Sequence, residues 1–350
     1  MTDENRSRDL GALLQPMSVD LFAARYWESE PLVIRRHDAR FYDGIVTPDG
    51  IADLVTTAAA ADIELVETNV GGLTAVRRHV TAVEAAQSFG AGATIKLTGV
   101  ERRHAPLRRL CGSIAEYLGC PVSVNVYCTP PRSKGLGVHR DAHDVIVLQI
   151  GGSKHWYVYD APQILPLKSL PRLSFESAGP LPQAPPGDRP ADAPRRSPQT
   201  SRRRGIHLEA GDLMYLPRGF AHEAFTGDVC SVHVTLGISV VTWLDLAVIA
   251  LRRAAADDEQ LKRALPLHIR DDTSVRAEAI AAASSHGERM LGQMDFAGAI
   301  DELMRSVHVA LDALRAPAPT FSFDSTASHD DRTGAAEPST ETDRVVPMAH

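Results

Sequence analysis

Val122, Val124 and Val126 alternate with Ser123, Asn125 and Tyr127, the period of a half-buried strand. An apolar run over 145–150, a Gly151-Gly152 turn and a second run over 156–159 continue that pattern, and 211–216 and 231–241 repeat it. The middle of the chain therefore reads as a β-sandwich or small barrel. Helical spacing flanks it. Leu107, Leu110, Ile114 and Leu118 fall on one face of a helix over 106–118 that Gly119 can stop. Ser18 caps a short helix running to Trp27, Pro31 opens an extended Leu32, Val33 and Ile34, and an alanine-rich helix over 52–61 precedes a strand over 94–97. Helix returns over 243–255 and 290–314, where Leu244, Val248 and Leu251 recur at helical spacing.

Two segments break the pattern. Residues 161–204 hold ten of the 23 prolines, with eight basic and three acidic residues, and read as a long basic insert between strands. Beyond 316 the chain is rich in Pro, Ser, Thr and acids and is expected to be a disordered tail. The expected order is a flexible 1–17, an α+β lead-in over 18–95, a β core over 96–242, a helical region over 243–315 and the tail over 316–350.

Composition narrows the function classes. The 350 residues carry 37 basic and 44 acidic side chains, a net charge of -7, so no global attraction draws this chain to nucleic acid or to an anionic membrane. No CxxC spacing joins Cys111, Cys120, Cys128 and Cys230, which removes zinc ribbons and thioredoxin-like redox chemistry. Buried thiols, a polar N-terminus and an apolar stretch near Val240 broken by Asp245 give the expectation of a soluble cytoplasmic protein without a membrane span.

The candidate chemistry lies in His139 and Asp141. Two residues apart on a strand, they project to one face and can reach one ion; with a second histidine they would complete the two-histidine, one-carboxylate set that leaves open positions on iron. The spacing alone is a weak signal, since the chain also holds His207 with Glu209, His286 with Glu288 and His329 with Asp331. Only His139 and Asp141 stand between a Pro130-Pro131 turn and a nearly all-apolar strand. His222, after a strand and a Pro217/Gly219 turn, is the candidate third ligand.

These segments, NVYCTPPRSKGLGVHRD over 125–141, DVIVLQIGGSKHWYVYD over 144–160, GDLMYLPRGFAH over 211–222 and WESEPLVI over 27–34, resemble the JmjC-type Fe(II)/2-oxoglutarate oxygenases of the cupin-like ribosomal oxygenase branch, which hydroxylate protein side chains. The resemblance implies a mainly β fold with α, a double-stranded β-helix (cupin or jelly-roll) core, and His139, Asp141 and His222 as iron ligands and catalytic centre. It implies Fe(II) as cofactor, 2-oxoglutarate as co-substrate and O2 as oxidant, with Lys154 on the distal carboxylate. A buried carboxylate needs such a partner. Asn125 and Tyr127 resemble the family's polar pocket wall, or else simply pair within the sheet; Thr235 is a weaker pocket candidate. His143 imitates a ligand and Asp144 a partner behind the ligands, although structural roles also account for both.

The expected activity is hydroxylation of a protein or peptide side chain, with a ribosomal protein the leading substrate class and a homodimer built through the helices after Trp243. The long insert and the alanine-rich region after Thr242 depart from the family pattern and weaken the ribosomal assignment. The rivals are a hydroxylase of a small molecule or peptide natural product, and a cupin-like binding protein with a vestigial metal site.

Overall fold

The structure, a computed structural model, describes residues 9–68, 74–159, 165–166, 203–256 and 258–315. The proline- and arginine-rich insert, apart from 165–166 and 203–204, and the tail from 316 lie outside the described residues, as does His329 with Asp331.

Among the described residues, eight α-helices and ten strands follow one another. The lead-in contributes α1 (Leu10–Leu14), α2 (Val19–Arg25), β1 (Leu32–Ile34), α3 (Pro48–Thr57), β2 (Ile63–Thr68), β3 (Thr74–Arg78), α4 (Ala82–Gly90) and β4 (Thr94–Thr98). Then come α5 (Ala105–Leu118), β5 (Val122–Thr129), β6 (Asp144–Tyr159), β7 (Arg203–Glu209), β8 (Leu213–Leu216), β9 (His222–Phe225) and β10 (Ser231–Ile238). Helices α6 (Trp243–Ala256), α7 (Thr273–Gly292) and α8 (Phe296–Arg315) close the described chain. Local chemistry sets several of these ends. The Ser18 hydroxyl accepts from the Leu21 amide at the start of α2, and α5 stops at Gly119, whose φ of 62° only glycine adopts without penalty.

The strands form two facing sheets that share β6. The larger runs β1-β8-β6-β10-β5-β4-β2-β3, and the smaller is β7 and β9 on either side of the second half of β6. The expected Gly151-Gly152 turn is therefore a bend inside one continuous strand. Gly152 takes φ 61°, and the register with β10 slips between Val232 and His233, so the strand crosses from one sheet to the other without ending. A Gly-Gly pair between apolar runs has the same composition in a hairpin and in such a bend, and only the long-range pairing distinguishes them.

Period-two alternation divides the two faces of the large sheet. Val122, Val124 and Val126 of β5, Ile146 and Leu148 of β6 and Val234, Leu236 and Ile238 of β10 point into the main core with Leu107, Leu110 and Ile114 of α5. The opposite face, with Val145, Val147 and Met214, meets Trp156, Val158, Ile206, Leu208 and Ala224 of the small sheet. The lead-in strands β2, β3 and β4 extend the same large sheet, and β4 straddles the expected boundary at residue 95.

The helical region differs from expectation in two ways. Residues 290–314 belong to two helices, α7 and α8, and α8 buries Val307 and Leu311 in the main core beside α5. Helix α6 packs on α8 through Leu246, Ala250 and Ala299. No helix among the described residues is long and apolar enough to cross a membrane.

Candidate active site

His139 lies just before β6 and His222 opens β9. An isolated antiparallel bridge joins the two residues, with His139 N–H donating to His222 C=O at 3.1 Å and His222 N–H donating to His139 C=O at 2.9 Å. Their rings stand 4.2 Å apart between centroids. Asp141 completes the group: its Oδ2 is 3.5 Å from His222 Nε2 and its Oδ1 4.0 Å from His139 Nε2. One ligand atom from each residue falls within 4.8 Å of the others, and no other such cluster of three occurs among the described residues.

The imidazoles are poised as ligands. His139 Nδ1 lies 2.8 Å from Gly137 C=O and His222 Nδ1 3.0 Å from Phe220 C=O. A carbonyl only accepts, so each Nδ1 carries the proton and each Nε2 keeps its lone pair toward Asp141. Burial, then the neighbouring His139, pushes His222 down to about 4, so its ring is neutral at ordinary pH. Two imidazoles and one carboxylate, with one side open to a cavity, are the donor set that suits a divalent transition metal such as Fe(II).

The cavity, about 180 Å³, lies between the two sheets and is lined by the three residues together with Asn125, Tyr127, His143, Lys154, Trp156, His233 and Thr235. Their origin is the alternation of the strands. The residues between the valines of β5, and His233 and Thr235 of β10, face away from the main core, with Tyr127 opposite His233 and Asn125 opposite Thr235 in the register. All four residues expected to contact a co-substrate are thus brought to one cavity with the His139 group.

Lys154 is 2% exposed, and its Nζ donates to Thr129 Oγ1 at 2.9 Å. Burial pulls its pKa down from 10.5 to about 7. No carboxylate among the described residues lies within ion-pair distance of it. A buried ammonium without a counter-charge fits an anionic ligand. Two further polar atoms on the cavity wall lack partners among the described residues, Trp156 Nε1 and His233 Nδ1. His233 stacks on Tyr127 with centroids 4.9 Å apart and rings nearly parallel, and meets Trp156 edge-on at 5.5 Å. Thr129, Trp156 and His233 were not singled out by sequence. In a strand they look like ordinary sheet residues: the pairing of β5, β6 and β10 puts Thr129 and His233 beside Lys154, whereas Trp156 follows Lys154 by two on β6 and shares its face.

The other histidine–acid pairs lack this setting. His207 and Glu209 are 3.8 Å apart on β7 with their side chains 40% and 69% exposed, and His286 lies half-buried on α7 with its ring against Arg289. His143 lines the cavity with its ring over Gly237, where an added Cβ would stand 2.9 Å from it. Asp144 is fully buried behind the group, hydrogen-bonded to Tyr215 and Arg218. A wider hollow of about 920 Å³ between α6 and α8 is an open groove, and Arg253 there is already paired with Asp295 and Glu302.

Comparison with known proteins agrees with this geometry. Residues 100–246 match the JmjC domain family. The chain is 28% identical over 276 residues to the bifunctional lysine-specific demethylase and histidyl-hydroxylase NO66 of Drosophila erecta, covering 76% of this chain and 39% of the fly protein. It is 30% identical over 269 residues to the Drosophila grimshawi protein of the same name, covering 74% and 35%. The chain therefore spans well under half the length of these relatives. Among solved structures, the ribosomal oxygenase YcfD of Escherichia coli, in complex with cobalt and 2-oxoglutarate, superposes with a TM-score of 0.50 at 17% identity over 83% of this chain and 71% of that one, a likeness of fold. The matched segment carries His139, Asp141 and His222 and strands β5 to β10, and over these residues the chain is similar to the JmjC domain, on a cupin-like fold.

Proposed function

We propose that this chain is an Fe(II)- and 2-oxoglutarate-dependent dioxygenase that hydroxylates a protein side chain, with His139, Asp141 and His222 as the iron ligands. The observation that carries the reading is the facing pair of imidazoles with Asp141, opening on the same cavity as the buried Lys154, which has no carboxylate partner among the described residues. Iron with 2-oxoglutarate and O2 supplies an oxidative decarboxylation coupled to hydroxylation: C–H, 2-oxoglutarate and O2 become C–OH, succinate and CO2.

The chain's own residues bind, orient and exclude water. Lys154 takes the distal carboxylate, and Thr129 holds the ammonium in place. Tyr127, Asn125 and Thr235 line the cavity wall and orient the co-substrate, and Trp156 and His233 have the free buried polar atoms to join them. The apolar layer of Val145, Val147 and Ala224 keeps the reacting end dry.

A protein substrate is supported by the names of the relatives, which include histidyl-hydroxylases and a ribosomal oxygenase. A ribosomal protein remains the leading class. The working unit is a homodimer formed through the region after Trp243, where Trp243 (88% exposed), Leu265, Leu267, Ile280 and Leu291 present apolar surface. A cytoplasmic setting is supported by the free thiols of Cys111, Cys120, Cys128 and Cys230. The domain reading is an oxygenase core over 96–242, entered by the α+β lead-in and followed by the helices of 243–315.

The test is anaerobic loading with Fe(II) and titration with 2-oxoglutarate, following the weak visible charge-transfer band of the chelate. A band in the native chain that disappears in His222→Ala supports the oxygenase reading. No band in either, with iron available, favours a binding protein with a vestigial site.

A further inference from the structure

The backbone bridge fixes His139 against His222, but Asp141 lies beyond it in the loop before β6. Something else must hold this carboxylate to the two rings. We infer that Arg218, held between the carboxylates of Asp144 and Glu28, is the positioning residue that sets Asp141 against the histidine pair. This rests on the reading of His139, Asp141 and His222 as a metal site and names the element that assembles it.

Arg218 occupies the turn between β8 and β9, four residues before His222. Its backbone N–H and its Nη1 both donate to Asp144 Oδ1 at 3.2 Å, and the next amide, Gly219 N–H, donates to Asp141 C=O at 3.0 Å. Two successive amides of the turn that leads to His222 thus grip the segment that carries Asp141. The other Asp144 oxygen accepts from Tyr215 Oη, and Arg218 Nη1 also pairs with Glu28. Glu28 N–H donates to Tyr215 Oη at 2.9 Å, closing the network.

The inner part of the arrangement is away from solvent, while the Glu28 side chain at its edge is half-buried. Asp144 and Tyr215 are fully buried, and the Arg218 side chain is 5% exposed. Burial raises the pKa of Asp144 despite its hydrogen bonds, and burial also opposes the charge on Arg218, which Glu28 and then Asp144 restore. Phe22 and Trp27 wall off the network, Phe22 edge-on to Tyr215 at 4.9 Å and Trp27 stacked on it at 6.1 Å. A buried ion pair adds little net stability against an apolar substitute, yet it fixes orientation. The lead-in segment from Phe22 to Glu28 is thereby part of the machinery behind Asp141.

The experiment separates positioning from stability. Removing Arg218 alone strands a buried carboxylate, so the informative variant is the neutral pair, Arg218→Met with Asp144→Asn, together with Glu28→Gln in the otherwise native chain. Co(II) is titrated as the probe, read by calorimetry and by its visible d–d band, and the thermal midpoint is measured in parallel. The expected result for the double variant is a near-native midpoint with Co(II) affinity 10- to 100-fold weaker, the range typical when a group supporting a metal ligand is lost, and an altered d–d band. Glu28→Gln should weaken binding several-fold with the same spectral trend. Affinity within twofold of native in a folded double variant overturns the inference; should that variant not fold, the same result in Glu28→Gln does. Failure of the native chain to bind one Co(II) that His222→Ala loses would instead remove the metal site itself.

Discussion

His139 and His222 exchange both backbone hydrogen bonds, so the two imidazoles are paired by main chain and owe little of their geometry to their own side chains. In such a hydrogen-bonded antiparallel pair the side chains leave the same face, which is why the ring centroids stand 4.2 Å apart. Truncating either ring should therefore leave the strand pairing intact. For His222→Ala and Asp141→Ala we expect thermal midpoints within a few degrees of native, a shift of about 1–2 kcal/mol at most for a chain of this size. Succinate formation should fall at least ~1000-fold, since three ligands act as one unit. Undiminished succinate formation by Asp141→Ala would remove that residue from the site, and collapse of the fold would show that the rings themselves hold the sheets.

Lys154 makes the site pH-dependent with a definite sign. Its folded pKa is about 7, well under the 10.5 of the unfolded chain, so between those values the unfolded state binds more protons and stability rises with pH. Lys154→Met should therefore stabilise the ligand-free protein at pH 7 and below, and the advantage should vanish as pH approaches 10.5. The same charge serves binding: a carboxylate against Lys154 requires the ammonium, so above pH 7 each 2-oxoglutarate bound takes up a proton. Affinity should fall by up to tenfold per pH unit. Calorimetry at pH 8 in two buffers of different ionisation enthalpy measures that uptake directly, and identical heats in both would refute it. Lys154→Met should raise the KM for 2-oxoglutarate far more than it changes metal affinity.

Where the chain's physics is local, it could be read from sequence. The valine alternation of β5 and the glycine stop of α5 depend on neighbours in the chain, and both occur where expected. His139, Asp141 and His222 were legible because a motif in two separated blocks marks them, and the structure brings them within reach of one ion. What is non-local was missed. His233 acquires meaning only where β10 meets β6, a pairing of residues far apart in the chain. Helix α7 has no buried residue, and so presents no apolar stripe to read. The five residues of β3 are all exposed on a sheet edge and carry no alternation either.

Gly152 tests the continuity of β6. It combines φ 61° with a position where an added Cβ would stand 1.8 Å from Cys230 C=O, a backbone atom that cannot rotate away. Gly152→Ala meets both the left-handed penalty of about 1 kcal/mol and the clash. We expect a loss of at least ~3 kcal/mol, read as a large drop in the urea midpoint, with the small sheet displaced from the large one. Gly90→Ala, on a helix with no atom within 4 Å of the added Cβ, is the matched control and should be neutral or mildly stabilising. Equal midpoints for the two variants would mean that the bend at Gly152 is not required.

The insert between β6 and β7 offers a test of how far the oxygenase core stands by itself. Tyr159 and Arg203 are register partners, so the chain leaves and re-enters the small sheet at adjacent positions. A two-residue Asn-Gly turn spans such a gap in a hairpin. Replacing residues 160–202 with Asn-Gly leaves every strand pair of β6, β7 and β9 in place and shortens the loop to be closed on folding. Because closure entropy grows only with the logarithm of loop length, the gain is on the order of 2–3 kcal/mol at most. The thermal midpoint should hold or rise by a few degrees, and Fe(II)-dependent 2-oxoglutarate binding should be unchanged, since the described residues of the cavity wall all lie outside 160–202. A drop of more than ~10 °C would show that the insert packs on the core, and loss of 2-oxoglutarate binding in a folded variant would place it at the mouth of the cavity.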